Sequence, residues 1–133
     1  DLFRINNIEL LGYKQGEELT KLIKEAYFII VPSECYENNP MSIIEAYSYG
    51  IPVIGSKIGG IPEIIKEKET GYTFPMGNSK ELAKLIKQIE SLSDEEYLHL
   101  CKNCIAYAKE DMSKESYYKR LISFYKRILS QKK

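Results

Sequence analysis

Two carboxylates with seven residues between them, Glu37 and Glu45, flank a helix start marked by Pro40 in the run VPSECYENNPMSIIEAYSYGIPVIGSKIGG, residues 31–60. A helix N-terminus attracts anions, because its first N–H groups lack intrahelical acceptors and the helix dipole is positive there. Met41, Ser42 and Ile43 would supply such donors. Glu45, further into the helix, lies too deep to repel that anion strongly and is a good acceptor for vicinal hydroxyls, which a ribose offers as a pair. Glu37, on the loop before the helix, is placed to reach a second hydroxylated group on the other side of the phosphates. Together these residues describe a cradle for ribose, diphosphate and sugar. A plainer chemistry fits the same positions. Ser42-Ile43-Ile44-Glu45 has capping-box spacing, in which Glu45 would only bond the Ser42 backbone. Glu37 would then be a solvated loop residue and Asn38-Asn39-Pro40 a turn.

The elements that must position these groups can be read from periodicity. Residues 7–11 (NIELL) form a short apolar run ending at Gly12, the pattern of a buried strand. Gly16 precedes Glu17 and Glu18, acidic residues suited to a helix N-terminus, and Leu19, Leu22, Ile23 and Ala26 follow on one helical face. Residues 27–31 (YFIIV) read as a strand covered on both faces. A helix is expected over 43–49 with Gly50 as its left-handed terminator, a third strand over 52–55, and at Gly59-Gly60 a turn that must approach something closely or take positive φ. A short helical turn over 62–66 would open on Pro62, and a last strand over 70–74 would close an α/β unit with right-handed crossovers.

The remainder reads as three helices. Asn78 with Glu81, and Ser93 with Glu96, are spaced as capping boxes; the second opens a helix with Tyr97, Cys101, Cys104, Ile105 and Ala108 on one face. Ser113 opens the last helix, with Tyr118, Leu121, Ile122, Tyr125, Ile128 and Leu129 on one side. From Lys114 to Lys133 that helix carries seven Lys or Arg against one Glu. Its wide apolar stripe is expected to pack on the sheet or against a further domain; a basic surface for anionic lipid is the other reading. Cys101 and Cys104 have redox or zinc spacing but no second pair, so buried small hydrophobes are expected. His99 falls on the polar side of its helix, and Cys35 receives no role.

Composition bounds the function. At 133 residues the chain is one domain in size, and its 19 basic residues match 19 acidic ones. No global field therefore points to nucleic acid or a membrane. Three cysteines are too few for a disulfide scaffold. No apolar run approaches the ~20 residues of a membrane helix, and the first residues lack a signal-peptide pattern. A cytoplasmic protein is expected, the inner face of the membrane included. The chain enters a strand pattern with no initiator Met, as a piece of a longer protein would.

The run from Glu37 to Glu45, followed by AYSYGIPVIGS and GGIPEII, resembles the retaining glycosyltransferases of the GT-B fold, glycosyltransferase family 4, the glycosyl transferases group 1 family. The shared signature is E-x7-E ending in Glu-Ala, then G-x-P-V, G-G-x-P-E and a T-G turn. Here Glu45-Ala46, Gly50-Ile51-Pro52-Val53, Gly59-Gly60-Ile61-Pro62-Glu63 and Thr70-Gly71 stand in that order. The resemblance covers about residues 7–89. It implies an α/β fold: a Rossmann-like parallel sheet flanked by helices, half of a GT-B fold, with a helical C-terminal tail. The whole of 1–133 would be a single, N-terminally truncated nucleotide-sugar-binding domain, its α/β part at about 7–90 and its tail at about 93–130.

Residue by residue, the resemblance implies that Glu45 holds the ribose hydroxyls and that Glu37 contacts the donor sugar as the catalytic group. The amides of Met41 and Ser42 would hold the distal phosphate, Gly12, Tyr13 and Lys14 would meet the base, and Gly59 and Gly60 would line the pocket edge. Many relatives have glycine where Pro40 stands; Pro40 has no N–H, so phosphate contacts rest on Met41 and Ser42. The implied reaction is transfer of a sugar from a nucleotide diphosphate sugar to an acceptor hydroxyl with retained configuration. It would be a hexosyltransferase reaction with no cofactor beyond the donor and, lacking an Asp-x-Asp sequence, no metal. The acceptor would be a glycan, lipid or small molecule. The family's N-terminal domain, and an Arg and a Lys that neutralise the diphosphate, are not in this chain, so the chain alone is expected to be inactive. The alternatives are a non-catalytic nucleotide-binding or interaction module of the same fold and, less favoured by the G-G-x-P-E context, a sugar-nucleotide epimerase.

Overall fold

The computed structural model describes residues 7–131. Along the chain run α1 (Gly16–Glu25), β1 (Ile29–Val31), α2 (Met41–Ser48), β2 (Val53–Ser56), α3 (Ile61–Ile64), β3 (Gly71–Phe74), α4 (Ser79–Glu90), α5 (Asp94–Glu110) and α6 (Lys114–Ser130). The strands form one parallel sheet in the order β1-β2-β3, with Ile30 opposite Ile54 and Ile54 opposite Tyr72. Strand side chains alternate between faces, and β2 shows the result. Val53 joins a core with Ile23, Ile43, Tyr47, Ile61 and Cys104, whereas Ile54 joins Tyr72, Phe74, Ile89 and Leu100 on the other face. All four residues of β2 are buried, as a central parallel strand covered by helices on both faces must be.

Helix α2 is fixed at its C-terminus and along its length. Its C-terminus closes with the N–H of Gly50 on the Tyr47 carbonyl at 2.9 Å and the N–H of Ile51 on the Ala46 carbonyl at 3.0 Å. Gly50 takes φ 75°, the left-handed conformation that this closure demands. Tyr47 is fully buried, its hydroxyl 2.8 Å from Thr70 Oγ1 and its ring edge-on to Tyr107 at 6.0 Å. Burial pushes the Tyr47 phenol far above its ordinary range, so it stays a neutral hydrogen-bonding group. Tyr47→Phe keeps the ring and deletes this bond; a loss of about 1–2 kcal/mol is expected, read as a lower urea midpoint at unchanged slope.

Several expectations are corrected. Residues 7–11 form no strand: they pair with none of the three, and Ile8, Leu10 and Leu11 are 45, 56 and 43% exposed. An apolar run needs a neighbouring ladder to become a strand, and periodicity does not report whether one is within reach. β1 is shorter than 27–31 and half-buried at one edge of the sheet. Tyr27 leaves the ladder, stacks on Tyr97 at 4.0 Å and accepts the Tyr97 hydroxyl on its carbonyl at 2.7 Å. Helix α2 starts at Met41, two residues before the expected 43, and Pro62 is the second residue of α3 rather than its first. The Ser93–Glu96 box closes in both directions, but at α4 only the Asn78 half appears, because Glu81 pairs with Lys84.

The last helix departs furthest. Among the described residues α6 buries none of its side chains, and Tyr117, Tyr118, Tyr125 and Leu129 are all more than half exposed. The expected packing of its stripe on the sheet is absent; Leu121 and Ile122 are only partly covered. Lys132 and Lys133 of the basic count lie outside the described residues.

Candidate functional site

The loop of residues 32–40 leaves the C-terminal end of β1 and feeds α2, and three separate contacts hold it. Ser56, 1% exposed at the end of β2, donates its hydroxyl to the Ser33 carbonyl at 2.6 Å, with the Val31 carbonyl at 3.5 Å. The Ser33 hydroxyl lies 2.9 Å from Glu37 Oε1. The N–H of Gly60 donates to the Glu37 carbonyl at 2.7 Å. The glycine pair is needed for that last contact. A Cβ on Gly59 would stand 2.4 Å from the Glu37 oxygen and one on Gly60 only 1.9 Å from the Asn38 oxygen, and Gly59 is left-handed at φ 54°. The turn before α3 therefore presses backbone against backbone, which fixes where Glu37 leaves the loop.

Pro40 is buried and is the N-cap of α2, with no side-chain cap bond. The Ile43 N–H donates to the Pro40 carbonyl at 3.2 Å, so Ile43 is not a free donor as expected. Among the described residues the N–H groups of Met41 and Ser42 meet no acceptor, and the first turn carries no acidic side chain. The capping-box reading fails on geometry: Ser42 is the second helical residue rather than the cap, and no bond joins it to Glu45. Glu45 is exposed one turn on. Its spacing of three from Ser42 and four from Met41 sets it on their side of the helix. The arrangement can receive an anion at the helix end with a hydroxyl acceptor beside it.

The structure thus brings together Glu37, Gly59, Gly60, Ser33 and Ser56, and sets Met41, Ser42 and Glu45 on the helix that follows. Gly12, Tyr13 and Lys14 precede α1. They line an apolar groove of about 410 Å³ with Leu19, Ile23 and Ile29; Tyr13 is 86% exposed, and Lys14 forms an ion pair with Glu18. A larger cavity of about 600 Å³, lined by Tyr72, Gln88, His99 and Leu100, contains none of the expected site residues. Ser33 and Ser56 were missed in the sequence. Ser33 could have been found from its four-residue spacing to Glu37, whereas Ser56 reads only as the end of a strand.

The cysteines are free. Cys104 is buried, and burial pushes its thiol up to about 12, while Cys35 is exposed. Among the described residues no group of three or more His, Cys, Asp or Glu side chains is placed to hold a metal ion. Among the described residues no helix is long and apolar enough to cross a membrane.

Comparison with known proteins adds the context of this geometry. The family model described as glycosyl transferases group 1 matches residues 2–111. The amylovoran biosynthesis glycosyltransferase AmsK of Erwinia amylovora is 31% identical over 87 residues, which covers 62% of this chain and 21% of that protein. The N-acetyl-alpha-D-glucosaminyl L-malate synthase of Bacillus anthracis is 30% identical over 112 residues, 84% of this chain and 28% of that protein. The chain therefore spans less than a third of the length of these relatives. Among solved structures, Anabaena Alr3699/HepE in complex with UDP and glucose superposes with a TM-score of 0.77 at 21% identity, covering 92% of this chain and 32% of that one. That likeness establishes the fold: the parallel sheet with its flanking helices is half of a GT-B fold.

Proposed function

Because the chain belongs to the glycosyl transferases group 1 family, we propose that it is the donor-binding domain of a retaining glycosyltransferase, moving a hexosyl group from a nucleotide diphosphate sugar to an acceptor hydroxyl. The observation that carries this reading is the start of α2. Two N–H groups without acceptors among the described residues, no acidic side chain in the first turn and Glu45 on the same side form one surface, beside a Glu37 held from its backbone and its carboxylate. In this reading Met41 and Ser42 receive the distal phosphate, Glu45 accepts from the ribose hydroxyls, and Glu37 contacts the sugar. Gly12, Tyr13 and Lys14 meet the base, and Gly59 and Gly60 form the pocket edge. That a protein of this fold was solved with UDP and glucose supports a nucleotide sugar as the ligand.

The test is thermal stabilisation of the complete protein by UDP, GDP and ADP sugars, since a ligand that binds only the folded state raises apparent stability. One of the three is expected to raise the melting temperature. Glu45→Gln should weaken that ligand by about 10- to 100-fold, the cost of losing charged hydrogen bonds to two hydroxyls. Stabilisation unchanged by Glu45→Gln would remove the ribose assignment. A product with inverted anomeric configuration would remove the retaining one. The 133-residue chain alone is expected to turn over no donor, because the facing wall and the cations for the leaving diphosphate are not among its residues.

The acceptor side of the reading includes contact with an anionic membrane. On α6 the exposed apolar residues share one side of the helix, bordered by Lys119 and Lys126 at one edge and Arg120 and Arg127 at the other. The chain should sediment with phosphatidylglycerol-containing vesicles at low salt and not with phosphatidylcholine alone; equal recovery with both rejects the contact.

A further inference from the structure

We propose that Ser33 is a positioning residue for Glu37, anchored in turn by Ser56, so that two serines from the ends of neighbouring strands set the direction of the sugar-facing carboxylate. This rests on the assignment of Glu37 given above. The geometry is a short relay. Ser56 is almost fully buried, and its hydroxyl donates to the Ser33 carbonyl at 2.6 Å. That bond fixes the Ser33 backbone at the point where the chain leaves β1. From there the Ser33 hydroxyl reaches two acceptors, the Cys35 carbonyl at 3.2 Å and Glu37 Oε1 at 2.9 Å. One hydroxyl has one proton. The carboxylate is both nearer and charged, and charge-assisted bonds are the stronger kind, so the proton belongs to Glu37.

The consequence is directional. Glu37 sits on an exposed loop, where a free glutamate would spread over many rotamers. Its carbonyl is already held by the Gly60 N–H, which fixes the main chain but leaves the side-chain torsions open. Ser33 removes that remaining freedom through one carboxylate oxygen and leaves the other for a ligand hydroxyl. A carboxylate aimed before the substrate arrives loses less entropy on binding than one that must be gathered in. The effect is realised in the step that Glu37 serves, so it should appear in kcat more than in donor KM.

The test is a double-mutant cycle in the complete protein, with transfer followed at saturating donor. Ser33→Ala alone is expected to lower kcat about tenfold, the range of a single hydrogen bond to a charged group, with donor KM changed less than about twofold. Ser33→Thr, which keeps the hydroxyl, should restore most of the rate. In a Glu37→Ala background, Ser33→Ala should have no further effect, because a positioning residue has nothing left to position. A purely structural role would instead lower the melting temperature and add to the Glu37 defect. Additivity in the cycle, or failure of threonine to rescue, overturns the proposal while leaving the role of Glu37 intact. If Glu37→Ala itself leaves transfer unchanged, the underlying assignment fails instead. The two failures are thereby told apart.

Discussion

Gly60→Ala is expected to cost about 2–4 kcal/mol of stability and to abolish transfer in the complete protein. The new methyl group would be placed 1.9 Å from the Asn38 carbonyl oxygen, well inside any contact distance, and the obstacle is backbone rather than a side chain that can swing away. Either the turn before α3 or the loop of residues 32–40 must retreat, and both moves break the 2.7 Å bond from the Gly60 N–H to the Glu37 carbonyl. Gly12→Ala is the matched control. Gly12 is also left-handed, at φ 65°, but a Cβ there meets nothing within 4 Å; only the conformational cost of about 1 kcal/mol applies. Urea unfolding of the two variants measures the difference. Equal stability for both would mean that the glycine turn does not hold the Glu37 loop.

The second large effect is on the reaction itself. Glu37→Ala is expected to lower kcat about 100-fold in the complete protein, with the melting temperature near that of the parent. Stability should survive because the Glu37 side chain is exposed, its hydrogen-bond partner among the described residues is the Ser33 hydroxyl, and the backbone bond to Gly60 does not depend on it. The contrast with Glu45 separates the two carboxylates by role. Loss of Glu45 should weaken the donor in ground and transition states alike, whereas loss of Glu37 should act on the chemical step. Transfer unchanged after Glu37→Ala would remove the catalytic assignment of Glu37, whereas a complete protein that binds nucleotide and transfers no sugar would favour a non-catalytic nucleotide-binding module of the same fold.

The legible parts of this chain were those that local chemistry determines. Gly50 closes α2 as expected because a left-handed terminator is a property of a few consecutive residues. Ser93 and Glu96 close their box for the same reason. The Gly59-Gly60 turn was readable as a close approach, but its target, the Glu37-Asn38 backbone, was not, since contacts across some twenty residues leave no periodic trace. Residues 7–11 were misread because an apolar run specifies appetite for a partner without naming one. Ser42 was ambiguous until α2 was seen to begin at Met41; a shift of two residues in a helix start converts a cap into a free donor. Ser56 was invisible, because burial of a lone hydroxyl at a strand end depends on the fold around it.

The placement of β1 at the sheet edge also bears on how the isolated chain behaves in solution. β1 pairs with β2 on one side, and among the described residues no strand covers the other. In the same chain the apolar run of residues 7–11, rich in branched aliphatics and exposed, lies outside any ladder. One molecule thus carries both an open template and a segment able to be laid upon it, the combination from which edge-to-edge aggregation grows. Its 19 basic and 19 acidic residues leave little net repulsion to oppose such pairing, so solubility at high concentration is expected to depend on how that edge is covered.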